Sequence, residues 1–423
     1  MNKNFIAAAV AAAFIAAPLA AQASEAELLA RIEKLAAELD AVKAELKAST
    51  RKTDAVAQQQ QAIAAAPAAT AGAPATVLTG YGEVNYNRPT KNASAAQTDV
   101  RRAVIGIQHR FDEKTKLVSE FEWEHAVTSA DDAGEAAVEQ LYVEHQFNNG
   151  LRAKAGLFLI PSGLLNVAHE PTAYYGVERN FVETAIIPST WREAGFGLSG
   201  DFGNGFAWDA GLTTGFDMTK WDGASEEGLE SPLGSIHQEG QLAKSRDMSV
   251  HGALNWRGVP GLLLGGSVFS GKAGHKTADF PAQDARVTLW DLHGRYTPGR
   301  WDLSALYARG HISNVDALNL GFATEVAPIP KSFDGWYLQA AYQLFKSSDY
   351  ALSPFVRYEQ FNTSRSFTPA VRALGAKPGV DEKVATIGAN LRVGEGVVLK
   401  ADYQKFSENE SRDRLNLGVG FSY

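Results

Sequence analysis

Alternation is the property that most constrains this chain. In the last ten residues, Leu415, Leu417, Val419, Phe421 and Tyr423 share one face of an extended segment. Arg414, Asn416, Gly418, Gly420 and Ser422 share the other. Side chains of a strand repeat with period two, so one face is apolar and the other polar. Similar segments recur from about Thr76 onward, joined by connections that are alternately short and long. Such a series predicts an all-β fold, an antiparallel transmembrane β-barrel with its apolar face toward lipid and its polar face toward a lumen.

Composition is compatible with that fold. Hydrophobic content is 45% and mean hydropathy is −0.19, values that an average over lipid-facing and lumen-facing residues produces. Beyond the N-terminus, no apolar run reaches the roughly 20 residues that a spanning helix needs. The formal net charge is −8, which argues against nucleic acid as a partner, because phosphate contacts demand a basic surface. The sequence holds no cysteine, so disulfides, thiolate metal sites and a cysteine nucleophile are excluded.

Residues 1–23 read as a signal peptide: Lys3 supplies the positive end, Phe5 to Leu19 are apolar, and Ala21-Gln22-Ala23 fits the small-x-small cleavage rule. With the barrel pattern, this places the protein in the outer membrane of a Gram-negative bacterium. In residues 24–48, Leu28, Ile32, Leu35, Leu39, Val42 and Leu46 recur at steps of four and three. That seam predicts a short periplasmic coiled-coil helix. The competing reading is a single amphipathic helix lying on the barrel mouth or the membrane. The mixed Leu, Ile and Val seam is compatible with a dimer or a trimer. Residues 49–75 are an Ala/Gln/Pro linker that reads as flexible.

From 76 to 423 the alternation predicts sixteen strands: 76–87, 98–111, 115–127, 136–147, 151–159, 191–202, 205–216, 247–257, 260–271, 284–296, 299–310, 333–345, 350–362, 381–393, 396–407 and 412–423. Connections after even-numbered strands are tight and carry Gly, Asn, Asp or Pro, as hairpins require. The largest of the others are 160–190, 217–246, 311–332 and 363–380. An even count puts both barrel ends on one side, and short turns face the periplasm in bacterial barrels. A soluble propeller or solenoid would need a fixed repeat and would leave the apolar outer faces unexplained. Trp208, Trp256, Trp301, Trp336, Tyr86, Tyr296, Tyr358 and Tyr423 lie near strand ends on the predicted outer face, where aromatic girdles belong.

The opposite parity assigns the pore-lining residues. Strand two points Arg102, Gln108 and Arg110 inward, and strand three Lys116, Glu120, Glu122 and Glu124. Strand four adds Gln140, Glu144 and Gln146; strand five adds Arg152 and Lys154. Later strands add Asp291, Arg295, Arg357, Glu359, Asn390, Arg392, Lys400, Asp402 and others. Tight pairing across the turns would set Arg102 near Glu124, and Glu144 opposite Lys154. A sixteen-stranded barrel is wide enough for an aqueous channel, and opposed charged walls select ions and orient polar solutes. Plain wall charge, neutralised by its neighbours, is the bland alternative for each single residue.

The stretch 160–190 is too apolar and aromatic for a solvated tip. Folding inward would bury its Leu, Val and Tyr residues and narrow the pore, bringing Glu170, Tyr174, Arg179 and Glu183 to a constriction. Packing outward on a neighbouring subunit is the alternative. His169-Glu170 and His125 stand without a second spaced ligand, and neither a Gly-x-Ser-x-Gly elbow nor a complete phosphate loop occurs. The residues therefore predict no catalytic site, no metal and no cofactor.

Taken together, these features resemble the phosphate-selective porin O/P family of outer-membrane porins. The likeness covers roughly 76–423 and is most evident in Lys154-Ala155-Gly156-Leu157-Phe158-Leu159-Ile160-Pro161-Ser162-Gly163, with Glu178-Arg179 downstream. The N-terminal heptads look like those of trimeric porins with a periplasmic coiled coil. The resemblance implies a homotrimer in outer-membrane lipid, a third loop folded inside, and anion preference. Arg102, Arg152, Lys154, Arg357, Arg392 and Lys400 are the basic candidates, against the acidic Glu120, Glu122, Glu124 and Glu144. The expected function is passive diffusion of small hydrophilic solutes, with a weak bias to anions such as phosphate or dicarboxylates. A structural anchor with a periplasmic tether is the second reading, and an outer-membrane hydrolase, without a catalytic constellation to support it, the third. N-terminal sequencing of the exported protein should begin at Ser24.

Overall fold

The computed structural model describes Lys34 and residues 75–423, except 149, 323 and 324. The signal peptide, the heptad seam of 24–48 and the linker lie outside the described residues, save Lys34 and Ala75.

Among the described residues, seventeen strands form one antiparallel sheet. They are β1 (Thr76–Pro89), β2 (Gln97–Arg110), β3 (Thr115–Trp123), β4 (Ala136–Asn148), β5 (Leu151–Leu159), β6 (Arg192–Gly203), β7 (Phe206–Thr213), β8 (Ser249–Val259) and β9 (Leu262–Lys272). Then follow β10 (Arg286–Tyr296), β11 (Trp301–Ser313), β12 (Ser332–Tyr342), β13 (Phe345–Lys346), β14 (Tyr350–Ser366), β15 (Glu382–Val393), β16 (Val397–Phe406) and β17 (Arg414–Ser422). β13 is a two-residue strand at the foot of β14; the other sixteen make a closed sixteen-stranded barrel.

Closure is made by β1 against β17, in register from Tyr81↔Ser422 to Pro89↔Arg414. Gly80 N–H donates to Tyr423 O at 3.1 Å and Tyr423 N–H returns a bond to Gly80 O at 2.9 Å. Among the described residues each of the sixteen barrel strands pairs on both sides, as backbone in hydrocarbon must. The expected turn chemistry is present: Asn204 and Gly205, between β6 and β7, both have positive φ (53° and 83°), the geometry of a tight hairpin that follows the strand twist.

The outer face is apolar. Phe196 is 70% exposed, Leu292 61% and Ile387 60%, a pattern that is costly in water and natural in lipid. Aromatic pairs stud it: Trp301 and Tyr342, at strand ends, with ring centroids at 4.8 Å, and Trp336 and Tyr358, mid-strand, at 5.7 Å.

Three expectations are corrected. Strand three stops at Trp123 rather than 127, because His125 and Ala126 take positive φ (58° and 62°) and end the extension. Glu124 therefore lies past the strand. Conversely, β14 runs to Ser366, four residues beyond 362. Third, the inner face is not polar throughout. At the long-loop end, Val287 and Leu289 of β10, Leu306, Ala308 and Ile312 of β11 and Phe333 of β12 point inward and are buried. They pack with loop residues such as Ile186, Ile187, Met218 and Ile236 in one apolar cluster, in which Trp191, Phe216 and Phe269 stack within 4.6–5.5 Å.

Among the register shifts in the sheet, two β-bulges re-aim charged residues near the site. In the β1–β2 ladder, Glu83 pairs with Arg102 but Val84 with Val100, leaving Arg101 extra. In the β3–β4 ladder, Glu120 pairs with Gln140 but Phe121 with Val138, leaving Glu139 extra. A bulge re-aims side chains: Glu139 and Gln140 are both buried inside, between the outward-facing Val138 and Leu141.

Ile387→Arg, on the lipid face in the middle of β15, should lower barrel stability by about 2–4 kcal/mol if it sits near the midplane. Denaturant unfolding in lipid vesicles measures it.

Candidate functional site

The segment between β5 and β6 decides what the lumen can do. Gly163 N–H donates to Asp291 of β10 (3.1 Å), and Tyr175 Oη to Asp302 of β11 (3.3 Å). Tyr337 of β12 donates to Glu183 (3.0 Å), and Phe181 N–H to Glu359 of β14 (2.6 Å). Asn390 of β15 donates to Tyr174 O (3.0 Å), and Val177 N–H to Asp402 of β16 (2.6 Å). Thr172 and Ser422 of β17 are linked at 3.0 Å, and Tyr174 Oη donates to Glu83 of β1 at 2.8 Å. A segment that leaves β5 and bonds to β10–β12, β14–β17 and β1 can do so only by crossing the interior. The inward fold is what the structure contains.

Much of that attachment uses wall carboxylates as acceptors for loop N–H and O–H groups. Hydrogen bonds to charged acceptors contribute about 1.5–3 kcal/mol each, and here they also satisfy loop backbone that lacks a ladder. Val182–Ile186 forms one π-helical turn. Glu183, within it, accepts from Leu164 N–H (2.6 Å), Leu165 N–H (2.7 Å), Asn180 Nδ2 (2.9 Å) and Tyr337. Burial pushes its carboxyl above the usual range. With four donors and 3% exposure, Glu183 is a staple that shapes the loop and does not face a solute. Arg179 is likewise engaged within the loop, donating to Ser189 Oγ (2.5 Å), Thr190 Oγ1 (2.9 Å) and His169 O (3.2 Å). Glu193 of β6 accepts from Thr214 Oγ1 (2.5 Å) and Trp191 Nε1 (3.0 Å), and Arg192 pairs with Glu239 (3.0 Å).

The wall charges fall into two territories. On β1–β4, Arg102 pairs with Glu83 (2.9 Å) and Glu122 (3.6 Å), not with Glu124, because β3 has ended there. Gln140 donates to Glu120 (2.6 Å). Glu144 does sit in register with Lys154, yet it pairs with Lys116 (3.2 Å), while Lys154 pairs with Asp209 (3.1 Å) and lies over the Phe158 ring. Arg110 and Arg152 are half-buried, the latter donating to Ser199 Oγ at 3.4 Å. Glu120, Glu122 and Glu144 are each at most 8% exposed, so the acidic run is buried.

On β10–β16 the bases face the loop. Arg295 pairs with Asp302 (2.6 Å) and Arg357 with Glu359 (3.1 Å); Arg392 donates to Thr172 O (2.7 Å). Lys400 Nζ stands 3.5 Å from the centre of the Tyr174 ring. Arg295, Arg357 and Arg392 converge with Ser304 and Gln339 on a cavity of about 60 Å³, closed on the loop side by Leu164, Leu165, Ala173 and Tyr175. That volume holds a few waters. Sequence reasoning placed Arg295 on the wall but not at this focus. It missed Glu83, which alternation along β1 would have found, and Glu139, which only the bulge turns inward.

No family model matches this chain. A protein of Aquifex aeolicus (strain VF5), described only as uncharacterized, is 28% identical over 348 residues, 79% of this chain and 76% of its own length. Among solved structures, Salmonella typhi OmpF in complex with daunomycin aligns with a TM-score of 0.57 at 14% identity, over 82% of this chain and 97% of that one. The outer-membrane channel DcaP of Acinetobacter baumannii aligns with a TM-score of 0.51 at 12% identity, over 82% and 97%. At such identities the likeness shows the fold: a porin-like outer-membrane β-barrel.

Glu183→Ala leaves several buried donors without an acceptor and should cost at least roughly 3 kcal/mol. The expected result is a loosened loop, seen as faster cleavage within 160–190 by added protease while the barrel stays folded.

Proposed function

We propose that the protein is a porin for passive diffusion of small hydrophilic solutes, with a weak bias to anions such as phosphate or dicarboxylates. The observation that carries the bias is the convergence of Arg295, Arg357 and Arg392 on the cavity between wall and loop. Asp302 and Glu359 pair with Arg295 and Arg357, while Arg392 donates to a loop carbonyl and the acids of β3 and β4 are buried elsewhere. Guanidinium groups present planar, fixed donors suited to carboxylate and phosphate. Segregated charge across a narrow lumen also sets up a transverse field that orients dipolar solutes.

Membership of the phosphate-selective porin O/P family is part of this reading. It is supported by the stretch Lys154–Gly163, which runs from β5 into a loop folded inside. We further assign residues 24–48 to a periplasmic coiled coil that holds a homotrimer, with 49–75 as its linker. The wall roles of Arg102, Arg110, Arg152, Lys154 and Lys400 belong to the same proposal. The alternative, a structural anchor with a periplasmic tether, draws on the heptads alone.

Planar-bilayer recording tests the channel. Stepwise conductance is expected from the purified protein, and its absence would end the reading. In a salt gradient the reversal potential should indicate anion preference, and cation preference in the wild type removes the anion clause. The double variant Arg295→Gln, Arg392→Gln should shift that potential toward cations. Deleting residues 24–75 should leave conductance in place and weaken the oligomer; loss of all conductance would contradict the assignment.

A further inference from the structure

A second group of side chains, on the far side of the loop from the arginines, is built for a different ligand. Glu120 of β3, Glu139 of β4 and His169 of the inward loop each offer one donor atom, all within 4.8 Å of one another. All three are buried, with exposures of 6%, 0% and 1%. They come from three separate elements, so no ligand spacing could announce them in the sequence.

The local bonding prepares these atoms. His169 Nδ1 lies 3.0 Å from Asn166 O, and a ring N–H donated to that backbone carbonyl turns Nε2 toward the cluster, the orientation usual in metal-binding histidines. Nε2 lies 2.7 Å from Tyr81 Oη and 3.7 Å from Glu139 Oε1. Tyr81 Oη in turn donates to Glu139 Oε2 at 2.8 Å. Gln140 holds one oxygen of Glu120.

In and beside the cluster, Glu139 Oε1, Glu122 Oε1 and Glu170 Oε2 are buried without a hydrogen-bond partner. Glu139 is fully buried, and its free oxygen is the one that faces His169 Nε2. Glu170, next in the loop, is 6% exposed and within electrostatic range of Glu120, Glu139 and His169. Glu120, Glu122, Glu139 and Glu170 thus crowd one buried volume, and the guanidinium of Arg102 is shared between Glu122 and Glu83. Buried carboxylates in such excess demand a cation or protons.

We propose that Glu120, Glu139 and His169 bind a divalent transition-metal cation, with Zn²⁺ the natural probe, and that the metal clips the inward loop to the β3–β4 wall. Imidazole with carboxylates suits Zn²⁺ and its neighbours better than an all-oxygen cation such as Ca²⁺. Tetrahedral Zn²⁺ holds its ligand atoms about 3.3 Å apart, so atoms that lie within 4.8 Å of one another need close by up to about 1.5 Å. The β4 bulge and the inward loop each supply one half of the site: the first turns Glu139 inside, the second carries His169 to it.

The test uses the full-length purified protein in detergent, stripped with chelator and titrated with ZnCl₂ by calorimetry. Metal content after desalting is read by mass spectrometry, a readout independent of conductance. About one Zn²⁺ per chain is expected, with CaCl₂ far weaker. Glu139→Gln and His169→Gln should each weaken binding by more than the roughly 10–100-fold that an outer-shell partner costs. His311→Gln, on a distant strand, should bind as the wild type does. Heat-modifiable migration on gels selects folded variants, and Glu120→Gln serves if Glu139→Gln fails to fold. Absence of saturable Zn²⁺ binding, or binding unchanged by His169→Gln, would overturn the proposal and leave protons as the cation.

Discussion

Everything in this structure depends on the pairing of β1 with β17. Hydrocarbon offers no partner for a backbone N–H or C=O, so a sheet that crosses it must close on itself. The bonds between Gly80 and Tyr423 and the nine-residue register Tyr81–Pro89 against Ser422–Arg414 achieve this. Closure creates an inside, and the inside is what the long connections then fill.

What fills it is held by a division of labour. The long-loop end of the lumen is packed like a soluble core, with Trp191, Phe216, Phe269 and Phe333 buried. Deeper in, attachment passes to wall carboxylates: Glu83, Asp291, Glu359 and Asp402 each accept from the loop. These acids spend their charge on backbone and hydroxyl donors. Arg295, Arg357 and Arg392, on the same stretch of wall, line the cavity beside the loop.

The strand plan was largely legible in the residues. Leu415, Leu417, Val419 and Phe421 do lie outward, and several expected strands, such as 151–159 and 381–393, match β5 and β15 to within a residue. The misses have physical causes. Strand three was drawn through His125 and Ala126, whose positive φ has no mark in an alternation pattern. Glu139 was not among the inward residues that parity named on strand four. The pairs Arg101-Arg102 and Glu139-Gln140, each flanked by apolar residues, were the trace of bulges, because a charge left facing lipid is costly. On β10, Val287 and Leu289 are apolar on the same face as Asp291, an irregularity that marks where loops pack.

Sequence by itself determined the barrel, the strand count and the inward tendency of 160–190, because period-two alternation and an excess of apolar loop residues are local properties. Tertiary structure alone decided which charges are free. Glu183 and Arg179 read as filter residues, and Glu144 and Lys154 as partners, until the loop's path assigned each of them other contacts. The meeting of Glu120, Glu139 and His169 belongs to the same category. Register, bulge and loop position join residues 19 to 49 apart, and no local pattern encodes that meeting.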